Sequence, residues 1–177
     1  MKTLTLLRHA KSGGADDPGL LDVDRPLNDK GFRAAERMGR HLAELNLRFD
    51  AVIASPARRV AETLRAVSDG YGSPIEAKTD RRLYLASPET LIEVAREQQA
   101  ERVLLVGHNP GLEELVLTLV PPSAGDLREE VAAKYPTASV AEITFSGDWA
   151  DVAPGTATLT RFVRPRDLDP TLGPDAI

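Results

Sequence analysis

Apolar residues fall into two kinds of run along the chain. Short continuous runs at residues 3–7 (TLTLL), 51–54 (AVIA) and 102–106 (RVLLV) have the length and composition of buried strands, with residues 75–78 a shorter candidate. Between them the spacing changes to three and four. Phe32, Ala35, Met38, Leu42 and Leu45 predict a helix that starts after Asn28 as N-cap and ends near Asn46. Ser55-Pro56 reads as a cap followed by proline at the first helical position, opening a helix through Gly70. Ser87-Pro88-Glu89 repeats that start for a helix to about Gln99. Residues 110–119 predict one more helix, 121–125 a loop, and 139–145 and 156–163 two late strands. The proline- and aspartate-rich residues 165–177 are expected to trail on the surface.

Strands alternating with helices of this length define an α/β domain with a largely parallel central sheet and an antiparallel pair at its end. The 177 residues fit one domain, 1–164, followed by the tail 165–177. The chain has no cysteine, which excludes thiol catalysis, zinc–thiolate sites and disulfides and is compatible with a cytoplasmic location. No apolar run approaches the ~20 residues needed to cross a bilayer, so no membrane association is expected. A net charge of -5 argues against nucleic acid as a partner and would make any local cationic pocket stand out.

In open α/β sheets ligands bind beyond the carboxyl ends of the strands. The polar residues just after the predicted strands are few: Arg8 and His9, then Ser55 with Arg58 and Arg59 one turn on, then His108 and Asn109. Two imidazoles and several guanidiniums meeting at one sheet edge call for an anion, and phosphate suits arginine's planar fork. A histidine that donates one ring nitrogen to a carbonyl keeps the other as a nucleophile. The second histidine can donate to the phosphoryl oxygens where charge develops. Two histidines flanked by arginines make a poor cage for a cation, so neither a metal nor any other cofactor is expected.

Leu7-Arg8-His9-Ala10 resembles the arginine-histidine-glycine signature of the histidine phosphatase superfamily, which also holds the cofactor-dependent phosphoglycerate mutases. Asp24-Arg25-Pro26-Leu27-Asn28 with Gly31, Ser55-Pro56-Ala57-Arg58-Arg59 with Thr63, and Val106-Gly107-His108-Asn109-Pro110 resemble the succeeding blocks, in order. In length and in the detail of DRPLN and VGHNPG the chain resembles the short SixA-type phosphohistidine phosphatases. The resemblance implies a single-domain, three-layer α/β/α sandwich of the phosphoglycerate mutase-like kind. It implies His9 as a nucleophile that is transiently phosphorylated, Arg8 and Arg59 as the phosphoryl clamp, His108 as the second histidine, and Arg25 as a further phosphate contact. Arg59 is preferred to Arg58 because the family's arginine stands four positions after the serine. Ser55 is placed at the substrate site mainly as a helix cap.

Two departures accompany the resemblance. Alanine replaces glycine after His9, and no carboxylate stands where larger members carry a general acid; Asp80 and Glu89 are weak candidates. The short segment 79–91 has no room for a lid, so an open pocket suited to a phosphoryl group on another protein is expected. The substrate class implied is phosphohistidine on a phosphotransfer protein of a signalling relay. A small phosphate ester as substrate, or a non-catalytic module that binds a phosphorylated ligand, are the alternatives.

Overall fold

A computed structural model describes residues 1–123 and 125–174. Six strands form one sheet in the order β3-β2-β4-β1-β5-β6, with β1 at Lys2–Arg8, β2 at Ala51–Ala54, β3 at Lys78–Thr79, β4 at Arg102–Gly107, β5 at Val140–Phe145 and β6 at Thr158–Val163. The first four are mutually parallel, and β5 runs antiparallel to both its neighbours. The helices are α1 (Asp29–Glu44), α2 (Arg58–Tyr71), α3 (Pro88–Arg96), α4 (Gly111–Leu119), α5 (Asp126–Ala133) and α6 (Pro165–Leu168). None among the described residues is long and apolar enough to cross a membrane.

The strands read as continuous apolar runs because both faces of the sheet are covered. Leu4, Leu6, Val103 and Leu105 face α3, α4 and α5, in one core that includes Leu91, Leu112, Leu115 and Val131. Leu7, Leu104 and Val106 face the other way, onto Met38 and Leu42 of α1 and Val60, Leu64 and Val67 of α2. This is a three-layer α/β/α sandwich with a period-two division of β1, β2 and β4 between two cores.

α1 begins as its sequence predicts: the Asn28 side chain accepts a hydrogen bond from Gly31 N–H at 2.8 Å. Its buried stripe is Ala34, Ala35, Met38 and Leu42, and Phe32 stands off that stripe, exposed, instead of in the core. α1 and α2 approach closely at two glycines. A Cβ on Gly39 would lie 2.0 Å from the Val67 carbonyl oxygen, and one on Gly70 would lie 1.9 Å from that of Glu36.

Four expectations change. The helix after Ser55 starts at Arg58 with Ala57 as its N-cap, so Ser55-Pro56 is a connector and Ser55 is free for another task. The third strand lies at Lys78–Thr79, starting three residues and ending one residue later than the apolar signal of residues 75–78. α5 lies where no helix is expected from sequence, since Val131 is its only buried position and the single pair Leu127 and Val131 is too short a run to establish a period. Residues 165–173 do not trail: α6 and a 3-10 turn at Pro170–Leu172 fold back, Leu168 and Leu172 pack against the α1 and α2 core, and Lys30 Nζ donates to the Gly173 carbonyl. Residues 175–177 of the expected tail lie outside the described residues.

Candidate active site

β1 and β4 are adjacent and parallel, with Arg8 in register with Gly107. His9 and His108 are therefore the next residues beyond matched strand ends, and the His9 amide donates to the Gly107 carbonyl at 3.1 Å. Their ring centroids are 5.4 Å apart. Both line a pocket of about 370 Å³ with Arg8, Arg25, Arg59 and Asp22.

His9 Nδ1 lies 2.7 Å from the Ala10 carbonyl oxygen. A carbonyl only accepts, so the ring carries its proton on Nδ1 and presents Nε2 as a lone pair. The Ala10 peptide is fixed from its other side, because its N–H donates to Thr63 Oγ1 at 2.8 Å and that hydroxyl donates to the Arg59 carbonyl at 2.7 Å. Burial, followed by the Arg8, His108 and Arg59 charges and opposed by the Ala10 bond, lowers the His9 pKa to about 3.

His108 Nε2 lies 2.7 Å from Ser55 Oγ, and its Nδ1 lies 3.4 Å from Arg59 Nη2. A guanidinium only donates, so Nδ1 is the acceptor and Nε2–H donates to the serine. Burial and then the Arg59 charge lower the His108 pKa to about 4. Ser55 thus holds the second histidine in this structure, where its sequence suggested a helix cap.

The two neighbouring arginines part company in α2. Arg59 is 2% exposed and turned into the pocket, whereas the Arg58 side chain is 55% exposed and pairs with Glu62 at 3.6 Å. A buried guanidinium needs partners. Arg59 donates to the Asp22 carbonyl at 2.7 Å and to Asp22 Oδ2 at 3.1 Å, leaving its buried Nε without a partner. Arg8 donates to the Tyr135 carbonyl at 2.8 Å, and its Nε is likewise buried and unpartnered. Arg25 is held to Asp22 at 3.0 Å and to Ser12 Oγ at 2.9 Å.

Asp22 is the residue whose importance the sequence hid. Its carboxylate meets Arg25, Arg59 and the Tyr84 hydroxyl, and the Tyr84 bond followed by the arginines holds its pKa down to about 2. It is an anion that aligns the arginines, and too strong an acid to keep a proton for a leaving group at neutral pH. The spacing of three residues before Arg25 was the available signal; Tyr84, in a turn after β3, gave none. Asp80 and Glu89 do not line the pocket. Asp80 pairs with Arg82 at 2.8 Å, and Glu89 sits in the first turn of α3. Asn109 bridges β4 to α5's far end, donating to the Tyr135 carbonyl at 3.0 Å and accepting from Glu113 N–H at 3.2 Å.

The glycine of the second block has a packing reason. A Cβ on Gly31 would lie 2.1 Å from the Lys11 carbonyl oxygen, so only glycine lets α1 press on the loop after His9. Among the described residues no group of three or more His, Asp or Glu side chains is placed to share a metal ion.

Residues 4–84 match the histidine phosphatase superfamily, branch 1. An uncharacterised protein of Mycobacterium tuberculosis is 38% identical over 164 residues, which is 90% of this chain and all of the relative. Among solved structures, a protein from Nakamurella multipartitia described as a candidate phosphohistidine phosphatase SixA is 30% identical with a TM-score of 0.77, covering 93% of this chain and 96% of that one. A second one so described, from Agrobacterium tumefaciens, is 28% identical with a TM-score of 0.78, covering 93% and 98%. The chain belongs to branch 1 of the histidine phosphatase superfamily and shares its phosphoglycerate mutase-like fold, as the four sequence blocks implied. Membership and the SixA-like neighbours together support a phosphatase hydrolase.

Proposed function

We propose that the protein removes phosphate from phosphohistidine carried on another protein, such as a phosphotransfer domain of a signalling relay, through a phosphorylated His9. The observation that carries the reading is the bond from His9 Nδ1 to the Ala10 carbonyl, which leaves Nε2 free in a pocket with Arg8, Arg59 and His108. In the first step Nε2 attacks phosphorus in line, a P–N bond forms, and the substrate's P–N bond breaks with its electron pair returning to the departing imidazole. Arg8, Arg25 and Arg59 neutralise the phosphoryl oxygens, and neutral His108 donates its Nε2–H to them in place of Ser55 Oγ. In the second step water attacks the phosphorus, His9 leaves with its lone pair restored, and the water proton passes to solvent or phosphate.

The substrate class follows from the leaving group. Transfer from one imidazole to another is chemically symmetrical, so a departing imidazole protonated at its other nitrogen needs no strong acid, unlike an alkoxide. The pocket carboxylate, Asp22, is in the wrong protonation state to supply one. The pocket is also lined by an exposed leucine, Leu85 at 56%, and exposed Leu21 at 68% is the chain neighbour of the lining residue Asp22. Exposed apolar side chains beside a polar site suit the surface of a protein partner.

Incubation with an aryl phosphate and an alkaline quench is expected to trap a base-stable, acid-labile phosphoryl group on His9. Turnover of a phosphohistidine-bearing phosphotransfer domain is then compared with a panel of metabolite phosphates. A clear preference for a metabolite would replace this reading with a small-ester phosphatase, and no phosphoenzyme from any donor would leave a binding module.

A further inference from the structure

Beside the candidate active site lies a second cleft of about 340 Å³, floored by Ala34 and Leu172 and walled by residues 134–137 and 164–174. It shares Arg8, Lys11 and Thr137 with the pocket at His9, so the two spaces adjoin. Six of its lining side chains are cationic, Arg8, Lys11, Lys30, Lys134, Arg164 and Arg166, and none is acidic. In a chain of net charge -5 this is a local inversion of sign.

Some of that charge is already committed. Arg164 forms a two-point pair with Asp167 at 3.0 and 3.1 Å, and Lys30 holds the Gly173 carbonyl. Lys134, just past the end of α5, and Arg166, in α6, are exposed at the rim. Both are exposed and they belong to separate segments of the lining, and two such cations fit a chain of several anionic side chains better than one compact anion.

We infer that this cleft is a docking surface for an acidic segment of the phosphoprotein substrate, whose Asp or Glu residues lie against Lys134 and Arg166 while its phosphohistidine enters at His9. The inference rests on the phosphohistidine reading above and adds what selects among phosphohistidine proteins. The catalytic pocket recognises the phosphoryl group alone, and the cleft reads the charge of its neighbourhood. The contacts are at the rim, so they act through encounter rate and salt dependence more than through tight binding.

The test uses two histidine peptides phosphorylated with phosphoramidate, identical except for Glu or Gln on both sides of the histidine. The full chain is expected to hydrolyse the Glu peptide with kcat/KM about tenfold above the Gln peptide at low ionic strength, and the gap should close as salt screens it. In K134E/R166E the preference should vanish or reverse while p-nitrophenyl phosphate turnover stays unchanged. K134Q/R166Q deletes the charges without reversing them and should shift the same way, which covers the case of a misfolded reversal variant. Equal rates for the two peptides, or a preference that survives in both variants, overturn the inference. Anisotropy of a fluorescein-labelled, unphosphorylated Glu peptide reads the cleft independently of chemistry, and its binding should weaken in both variants. If p-nitrophenyl phosphate is turned over but neither phosphopeptide is, the phosphohistidine reading fails and the anisotropy arm alone decides the cleft. A small bis-phosphorylated compound that displaces the peptide and binds more tightly would make the occupant a metabolite and end the proposal.

Discussion

Ala10 offers its carbonyl to His9 Nδ1 at 2.7 Å and its amide to Thr63 Oγ1 at 2.8 Å, so one residue, through the peptides on its two sides, joins the imidazole to a helix 53 residues away. The His9 ring is thereby fixed in tautomer and direction without a carboxylate partner. His9→Ala is expected to abolish both turnover and the trapped phosphoenzyme. Thr63→Val removes the anchor and leaves the nucleophile, so kcat should fall by about tenfold or more with KM little changed, and stability by about 1–3 kcal/mol for the orphaned amide. Single-turnover kinetics and a denaturant melt measure the two effects; a Thr63→Val enzyme with full kcat would refute the positioning role.

Arg58 and Arg59 are adjacent in sequence and about 100° apart around the helix. Arg59→Ala should cost about 10²–10³ in kcat/KM, the scale for losing a donor to developing charge. Arg58→Ala breaks only an exposed pair with Glu62 and should stay within about twofold. Steady-state kinetics on p-nitrophenyl phosphate distinguishes them, and comparable losses would mean that the wrong arginine faces the phosphate.

Both histidine pKa values are lowered in the folded chain, to about 3 and about 4, from an ordinary 6.5. The unfolded chain therefore takes up protons before the folded one does. Above about pH 6.5 both states hold neutral rings and nothing is lost; between 6.5 and about 3 stability falls as pH falls. Asp22, held down to about 2, extends that loss below its ordinary 3.8. Thermal melts from pH 8 to 4 should decline monotonically on the acid side, and His9→Phe should soften the decline. The acid limb of kcat/KM, corrected for substrate ionisation, should fall near 3, where His9 takes up its proton; a limb near 6.5 would show His9 titrating as an ordinary imidazole.

Gly39 and Gly70 let α1 and α2 touch backbone to backbone. Gly39→Ala places a methyl 2.0 Å from the Val67 carbonyl oxygen and should cost about 1–3 kcal/mol through forced separation of the helices. Activity per folded molecule should persist, since the pair lies away from the pocket. An unchanged melting temperature would count against the close approach.

The sheet was legible because its strands are buried on both faces and announce themselves as apolar runs, and the positions after β1, β2 and β4 followed from the parallel topology. That topology is enough to bring Arg8, His9, Arg59 and His108 to one edge from sequence alone. What stayed hidden depended on contacts across long loops. Asp22 reads as a loop acid beside Arg25, and only the fold carries it to the Arg59 guanidinium, 37 residues on. Ser55 had a sufficient local explanation as a cap, and its bond to His108 spans 53 residues. The C-terminal segment has too few apolar residues to show a period, yet Leu168 and Leu172 are enough to seat it on the core.

The register Arg8 opposite Gly107 has an evolutionary consequence. One residue inserted into β1 or β4 would shift an imidazole by about 3.3 Å and turn it to the other side of the sheet. Length changes between α2 and β3, or between α4 and α5, would leave the two rings where they are. Indels among descendants of this chain should therefore collect in those connections and spare the two adjacent strands.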